Sequence, residues 1–530
     1  MAANRARTAQ EGTHPRSRPS RWSLAPPWLL SLIAHLLVVA AIGEVLATGV
    51  PVRPIARTDG IRLDVVRAPG GGEEADAGSP DVAASVGTAA PVASQPTPPV
   101  TPAATSAIGG SGTKHALVTD DPAAPAPARA DQAVADALRA LETSALTRAG
   151  HLGARTAEGR RAAVGRYGGS GATESAVERG LAWLARHQDT DGKWDSDEYW
   201  LCCPGEPCCG PGEPKGFAAH DLPLTALALL AMLGAGNTPE AGTHRDPARR
   251  AVAYLLASQR SDGAFAEPGP WPAKFHYHQA LAVFALAECL AQTRDARLRE
   301  PVMRGVRLLE GAQEEGGGWN YRPGLAPRLD SSVTGWVVLA LLAARSAGVP
   351  VADRSFAGSI RHVRALTRPD GRLAYSDDPG KDEASSAMAS VGLVLRLALG
   401  QPHDAPEVRA AARILATDPP DRTRWHERDQ CLYYWYHGSL AAFLLGGEAF
   451  AAWNGHLVPE LLAAQERGGH ADGCWRAESL WARQGGGRVF ATALGVMCLE
   501  IYYRYVPEAV LERGRPFARS WGGALREDGR

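Results

Sequence analysis

Gln188-Asp-Thr-Asp-Gly-Lys-Trp194 decides the fold. It closes the amphipathic run AVERGLAWLARH, and its pattern returns along the chain. Gln259-Arg-Ser-Asp-Gly-Ala-Phe265 follows AVAYLLAS, and Gln313-Glu-Glu-Gly-Gly-Gly-Trp319 follows VMRGVRLLEGA. Each places an aromatic six residues after a Gln, across a turn that contains Gly. Thr367-Arg-Pro-Asp-Gly-Arg-Leu373 is a degenerate copy, and Gln465…Asp472-Gly473-Cys474-Trp475 is a copy with a longer loop. APEVRAAARILAT supplies one more amphipathic helix without the motif. Self-similarity at roughly 50 residues signals a closed or stacked repeat.

Between these runs lie helices that are apolar nearly all round, which marks them as buried. They are DLPLTALALLAML, HQALAVFALAECLA, SSVTGWVVLALLAARSA, SSAMASVGLVLRLALG, LYYWYHGSLAAFLLGG and RVFATALGVMCLEIYYRY. Amphipathic and buried helices therefore alternate, and no convincing strand-period segment interrupts them. The pattern predicts an all-α fold of six helical hairpins closed into a ring over residues 173–508, followed by a tail over 509–530.

The Gln-x-x-x-Gly-x-Trp turns between paired helices resemble the prenyltransferase and squalene-oxidase repeats of terpenoid cyclases and protein prenyltransferases, over about residues 173–506. The resemblance implies an (α/α)6 toroid in which Gln and aromatic clamp each outer helix's C-terminus onto the next inner helix's N-terminus. The chain is also similar to membrane-anchored bacterial proteins that carry such a toroid behind a linker. Squalene cyclases protonate their substrate with an Asp-x-Asp-Asp cluster, of which Asp330-Ser331-Ser332-Val333 retains only the first carboxylate. Protein prenyltransferases hold zinc with an Asp-x-Cys pair and a distant His. Asp429-Gln430-Cys431 resembles that pair, but Ala491 stands where the His belongs, so no zinc and no other cofactor is expected. The Gly-Cys-Gly-Glu-Gln segment of thioester domains is missing.

In such a ring all inner-helix N-termini open at one end, and the residues there are the site candidates. Asp330, Asp221 and Glu383 are the candidate acids, and two of them could flank a glycosidic bond. Asp221, Asp330, Ser332 and Ser385 are equally good helix N-caps. His276, His278, Trp336, Tyr434, Tyr436, His437 and Arg488 are the candidate ligand-binding residues. Tyr433-Tyr434-Trp435-Tyr436 with His437 would serve as a sugar or isoprenoid platform, or as ordinary core.

Cys202, Cys203, Cys208 and Cys209 interrupt the first turn-to-inner-helix connection. In an oxidising space disulfides between the 202/203 and 208/209 pairs are favoured, with metal binding and free thiols left open.

The N-terminus sets the expected compartment. Residues 1–27 carry five Arg against Glu11. Residues 28–47, WLLSLIAHLLVVAAIGEVLA, are long enough to cross a hydrocarbon core of about 30 Å. The flanking arginines place the N-terminus in the cytoplasm and the rest outside, as a single-pass inner-membrane protein with a periplasmic domain. A cleaved signal peptide ending near Ala47 is the competing reading. Ser31 and His35 share one helix face, and with the Pro-rich stretch that follows they resemble TonB-type anchors, implying a proton-channel partner in the membrane. Residues 48–129 are rich in Pro, Ala and Gly, lack aromatics and read as a disordered tether. Residues 130–172 form a helical and Gly/Arg-rich connector.

Composition narrows the function. The 58 Gly and 39 Pro among 530 residues gather in the tether and the repeated turns, and the formal net charge of −1 excludes a strongly basic nucleic-acid binder. The missing catalytic clusters favour a binding module of the cell envelope that takes a lipid, glycan or protein ligand. The alternative is a terpenoid-cyclase-like enzyme acting on a lipid or glycan, with Asp330 as acid.

Overall fold

The computed structural model describes residues 134–139, 155–204, 209–210, 220–266, 271–325, 328–378, 385–425, 427 and 430–505, all within one compact unit, His115–Arg530. The basic N-terminus, the apolar span 28–47 with Ser31 and His35, the tether 48–129 and the tail 509–530 lie outside the described residues. Among the described residues no helix is long and apolar enough to cross a membrane.

After a leading helix α1 (Ala157–Arg166), helices alternate between two layers. The outer set is α2 (Gly171–Arg186), α4 (Arg245–Ala257), α6 (Arg299–Gly311), α8 (Asp353–Ala365), α10 (Pro406–Thr417) and α12 (Gly447–Ala464). The inner set is α3 (Asp221–Gly234), α5 (Phe275–Thr293), α7 (Ser331–Ser346), α9 (Ser386–Ala398), α11 (Leu432–Leu445) and α13 (Leu480–Leu499). Each inner helix packs on the next, and α13 packs back on α3, so the six hairpins close into a ring. The described residues contain no strand, only isolated antiparallel bridges, several of them pairing the two ends of a repeat turn.

The layers differ because their sequences do. Outer helices bury one stripe at helical spacing: Ala248, Ala251, Val252 and Leu255 in α4; Val302, Gly305, Val306 and Leu309 in α6; Val408, Ala411, Ala412 and Leu415 in α10. Inner α3, by contrast, buries every residue from Leu222 to Gly234, having the ring interior on one side and the outer layer on the other.

The motif residues do more than cap. Gln188 Nε2 donates to the carbonyl of Gly192 in its own turn (2.8 Å) and to that of Pro247 in the first turn of α4 (3.0 Å). Gln259 repeats this with Gly263 (3.3 Å) and Pro301 of α6 (2.8 Å), and Gln313 with Gly317 (2.8 Å) and Ser355 of α8 (2.9 Å). The Gln oxygens of residues 188 and 259 accept from Arg250 and Arg304 on the next outer helix. The amide thus ties each outer helix to the next outer helix, not to an inner helix as the resemblance implied. The inner layer is joined by a residue outside the motif. The backbone N–H groups of Trp194, Trp319 and Trp475 donate to Thr225, Thr334 and Thr492 Oγ1 on α3, α7 and α13, at 3.0–3.2 Å. Each indole Nε1 donates back to its own outer helix, at Leu184, Leu309 and Leu461.

Glycine is obligatory in these turns for two reasons. Gly317 has φ +88°, and a Cβ there would lie 2.0 Å from the Gly358 carbonyl oxygen of α8. Gly473 has φ +96°, with Arg179 of α2 at 2.2 Å.

The seam is closed by the same device. Gln465 Nε2 donates to Gly473 and, 289 residues back in the chain, to the Ala176 carbonyl of α2, both at 2.8 Å. Arg179 on α2 donates to its oxygen. Only the covalent link is absent there.

Candidate functional site

Two of the four candidate N-caps do cap. Asp330 Oδ1 accepts from Ser332 N and Val333 N, each at 3.0 Å, at the start of α7, and Ser385 Oγ accepts from Met388 N at the start of α9. Asp221 does not cap, because it is already the first residue of α3. Its carboxylate instead fixes the preceding loop, accepting from Lys193 Nζ (2.7 Å), Ser196 N (2.9 Å) and Ser196 Oγ (2.8 Å). Asp195 and Asp197 lie beside it, and Lys193 Nζ, also 2.9 Å from Asp195, bridges Asp195 and Asp221. Ser332 lies within α7 and donates to Asp330 Oδ1 at 2.5 Å. Glu383 lies outside the described residues.

At the N-terminal end of the inner helices the ring opens into a bowl with a cavity of about 200 Å³. Tyr277, Tyr321, Trp336, Tyr375, Tyr433 and Phe490 supply its aromatic wall, and Trp481 stands at the rim, 37% exposed. Leu224, Leu227, Leu281 and Met388 complete an apolar floor. Polar groups are few: Lys274, the His220–His278 pair (Nδ1 to Nε2 3.2 Å), Ser332, Ser385 and Gln484. The rim segment carrying Trp481 is set off from the rest of α13 by Gly486 and Gly487, both at positive φ.

Lys274 is the bowl's cation. Its ammonium lies 5.8 Å from the centre of the Tyr321 ring and 5.6 Å from that of Trp481. Among the described residues it makes no hydrogen bond or ion pair, and burial lowers its pKa.

Asp330 lies beneath the wall, fully buried, and does not itself line the bowl. Tyr277 and Ser332 are hydrogen-bonded, and Ser332 donates on to Asp330, so a line of hydroxyls runs from the bowl to the carboxylate. Its other oxygen is 3.3 Å from Arg328, and Tyr321 and Tyr375, hydrogen-bonded to each other, lie close by. Burial and the nearby Asp330 charge push both phenols up, Tyr321 to about 12. Ser332, Val333 and Arg328 all donate to the Asp330 carboxylate. The carboxylate is turned toward these donors and not toward the bowl, whereas a general acid must present its proton to the substrate.

The sequence candidates divide between bowl and core. His278 and Trp336 line the bowl. His276 does not; its Nδ1 is 2.7 Å from the Asn320 carbonyl. Tyr434 points outward and donates to the Asp418 carbonyl, while Tyr433, one residue earlier, lines the bowl. Tyr436 stacks behind Trp336 with ring centres 5.5 Å apart, and His437 packs edge-on to the same indole at 5.2 Å. Arg488 donates to Cys474 Sγ, away from the bowl. Cys431 lines the bowl, but the described residues gather no metal-ligating group around it. No disulfide joins Cys202, Cys203 and Cys209 to one another, and Cys208 lies outside the described residues.

Residues 214–374, the stretch bearing α3, α5 and α7, match the squalene-hopene cyclase C-terminal domain. The ring is a squalene-cyclase-like repeat toroid. A squalene–hopene cyclase of Bradyrhizobium diazoefficiens is 27% identical over 195 residues, covering 34% of this chain and 28% of that protein. A terpene cyclase–glycosyl transferase fusion protein of Humicola fuscoatra is 26% identical over 271 residues, covering 47% of this chain and 19% of that protein. The chain thus spans less than a third of the length of these curated relatives. Among solved structures, a type II terpene cyclase from Scytonema bound to geranylgeranyl dihydroxybenzoate is similar at a TM-score of 0.41 and 14% identity, over 63% of this chain and 97% of that one.

Burial holds three imidazoles neutral: His278 is pushed down to about 3, and His362 and His437 to about 4, from 6.5. Their folded pKa lies below the unfolded value. Their contribution is therefore whole above pH 6.5 and is lost as pH falls from 6.5 toward about 4, where the unfolded chain takes up the protons first. A tenfold weakening of proton binding corresponds to about 1.4 kcal/mol. Thermal unfolding followed by circular dichroism should show Tm falling through that window, and a flat Tm across it would contradict the assignment.

Proposed function

We propose that the ring is a binding module for an amphiphile, seating an apolar body against the aromatic wall and an anionic head on Lys274. The observation that carries this reading is Lys274 itself, an ammonium at an aromatic bowl with no hydrogen-bonding partner among the described residues. Mostly apolar walls with a few oriented polar groups are typical of small-molecule binding sites. The apolar span 28–47 and the linker 48–129 would anchor and tether the module at the bacterial inner membrane, with the ring outside the cytoplasm.

Titrating the purified full chain with a dansylated fatty acid and with the corresponding neutral alcohol tests the head-group assignment. Lys274→Met should weaken the acid about tenfold or more, near 1.4 kcal/mol, while leaving the alcohol unchanged. Trp336→Ala should weaken both. If Lys274→Met binds both probes as wild type does, the reading fails.

A second reading, a cyclase-like enzyme acting on a lipid, is favoured by the buried carboxylate at the end of the Tyr277–Ser332 line. Asp330→Asn separates the two, since Asn is as good an N-cap as Asp but carries no proton to give. The binding module predicts unchanged folding and unchanged amphiphile affinity in Asp330→Asn. Conversion of a polyprenyl substrate by wild type, lost in this variant, would establish the enzyme.

A further inference from the structure

Away from the bowl, His187, Cys203, Cys209 and His470 bring one ligand atom each to within 4.8 Å of one another. They come from distant places. His187 ends α2, Cys203 and Cys209 flank the Cys-rich loop that follows, and His470 lies in the Gln465–Trp475 turn of the last repeat. Cys203 Sγ is 3.6 Å from His187 Nε2, and Cys209 Sγ is 3.7 Å from His470 Nδ1. A tetrahedral zinc, with bonds of ~2.3 Å to sulfur and ~2.0–2.1 Å to nitrogen, spaces sulfur and nitrogen by about 3.5–3.6 Å. His187 Nδ1 is 2.8 Å from the Trp183 carbonyl, so the proton belongs on Nδ1 and the lone pair of Nε2 faces Cys203. A backbone carbonyl orienting the far nitrogen is the usual outer support of a metal-bound histidine. His187, Cys203 and Cys209 are buried, and His470 is half-buried.

We propose that His187, Cys203, Cys209 and His470 form a structural zinc site that clasps the first repeat to the last across the seam of the ring. A donor set of two sulfurs and two nitrogens selects zinc over the harder divalent cations. On binding, both thiols give their protons to solvent and the two thiolates and two imidazoles fill the coordination sphere, leaving no open position for chemistry. The clasp acts where the ring lacks a peptide link: Cys209 and His470 are 261 residues apart, and joining them closes a loop through nearly the whole fold. This site is separate from Cys431 in the bowl and independent of the ligand reading above.

Elemental analysis of the full chain, purified without chelator or added metal, is expected to give one zinc per chain. Cys203→Ser with Cys209→Ser should abolish it, and Cys431→Ser should retain it. Removing zinc should lower Tm by on the order of 10 °C and restore it on re-addition. Cobalt exchanged into the wild-type chain should give tetrahedral d–d bands with thiolate charge transfer, a readout that does not depend on a variant folding. The proposal is overturned by a chain that holds no zinc and takes none up, by a Cys203–Cys209 disulfide in the isolated protein, by cobalt spectra without thiolate bands, or by zinc retained in the double variant.

Discussion

Replacing Glu288 by Ala should destabilise the ring by about 3–5 kcal/mol, the range for leaving buried charges without their partner. Glu288 lies near the C-terminal end of α5, where the inner helices are closed off by the short helix α14 (Ile501–Arg504). One carboxylate serves two buried guanidiniums there. Its Oε2 is 2.9 Å from Arg155 and 2.6 Å from Arg504, and its Oε1 is 3.3 Å from Arg155. Glu500, 3.4 Å from Arg504, could share the load, but burial pushes its carboxyl up to about 8. At neutral pH the balancing anion is therefore chiefly Glu288. With unfolding entropy near 2.1 cal/mol/K per residue, a ring of roughly 330 residues converts that loss into a Tm drop of about 5 °C. Adding Arg504→Met to Glu288→Ala should recover part of the loss, because it removes one of the two stranded cations. A double-mutant cycle by calorimetry measures this coupling, and strict additivity would show that the network is not load-sharing. The bowl opens at the N-terminal end of the same helices, so amphiphile affinity should not change.

Much of this architecture was legible in the spacing of Gln, Gly and Trp, because each repeat turn needs all three for separate physical reasons. The threonines were missed for a different reason. Thr225, Thr334 and Thr492 accept from the motif's backbone, yet they fall inside apolar runs where Thr passes as small core. The site was only half legible. His276 and His278 lie two residues apart on α5, hence on opposite faces, and only His278 reaches the bowl. Tyr433 and Tyr434 differ by about 100° on α11, and the inward one was not the one singled out. Helical phase could have thinned those pairs, but only packing says which face looks inward. Lys274 carried no signal, since a single Lys before a helix is ordinary. The four-Cys run drew attention to pairings within itself, whereas Cys209 meets His470 across the seam, a contact no local spacing could announce.

Trp475→Ala should cost about 3–5 kcal/mol and, unlike its counterpart, should open the ring at one place. Trp475 is fully buried, donates to the Leu461 carbonyl at 2.9 Å, and is wedged between two glycines. A Cβ on Gly180 of α2 would lie 3.2 Å from the indole, and one on Gly495 of α13 2.9 Å from it. Truncation therefore leaves a cavity walled by backbone, which collapses poorly, together with a carbonyl that has lost its donor. Trp319→Ala removes the corresponding indole bond, to the Leu309 carbonyl, and should cost a similar amount. The difference lies in what each gap adjoins. Trp319 sits inside a run of hairpins joined by chain on both sides, whereas Trp475 packs on α2 across the seam, where only non-covalent contacts hold. Hydrogen exchange should therefore speed up selectively in α2 and α13 of Trp475→Ala, and show no comparable local opening in Trp319→Ala. Trp475→Phe, which fills most of the cavity but cannot donate, should lose about 1 kcal/mol for the hydrogen bond plus a smaller packing term. Uniform acceleration around the ring in both Ala variants would mean that the toroid unfolds as a single unit, and that its seam is no weaker than any other junction between repeats.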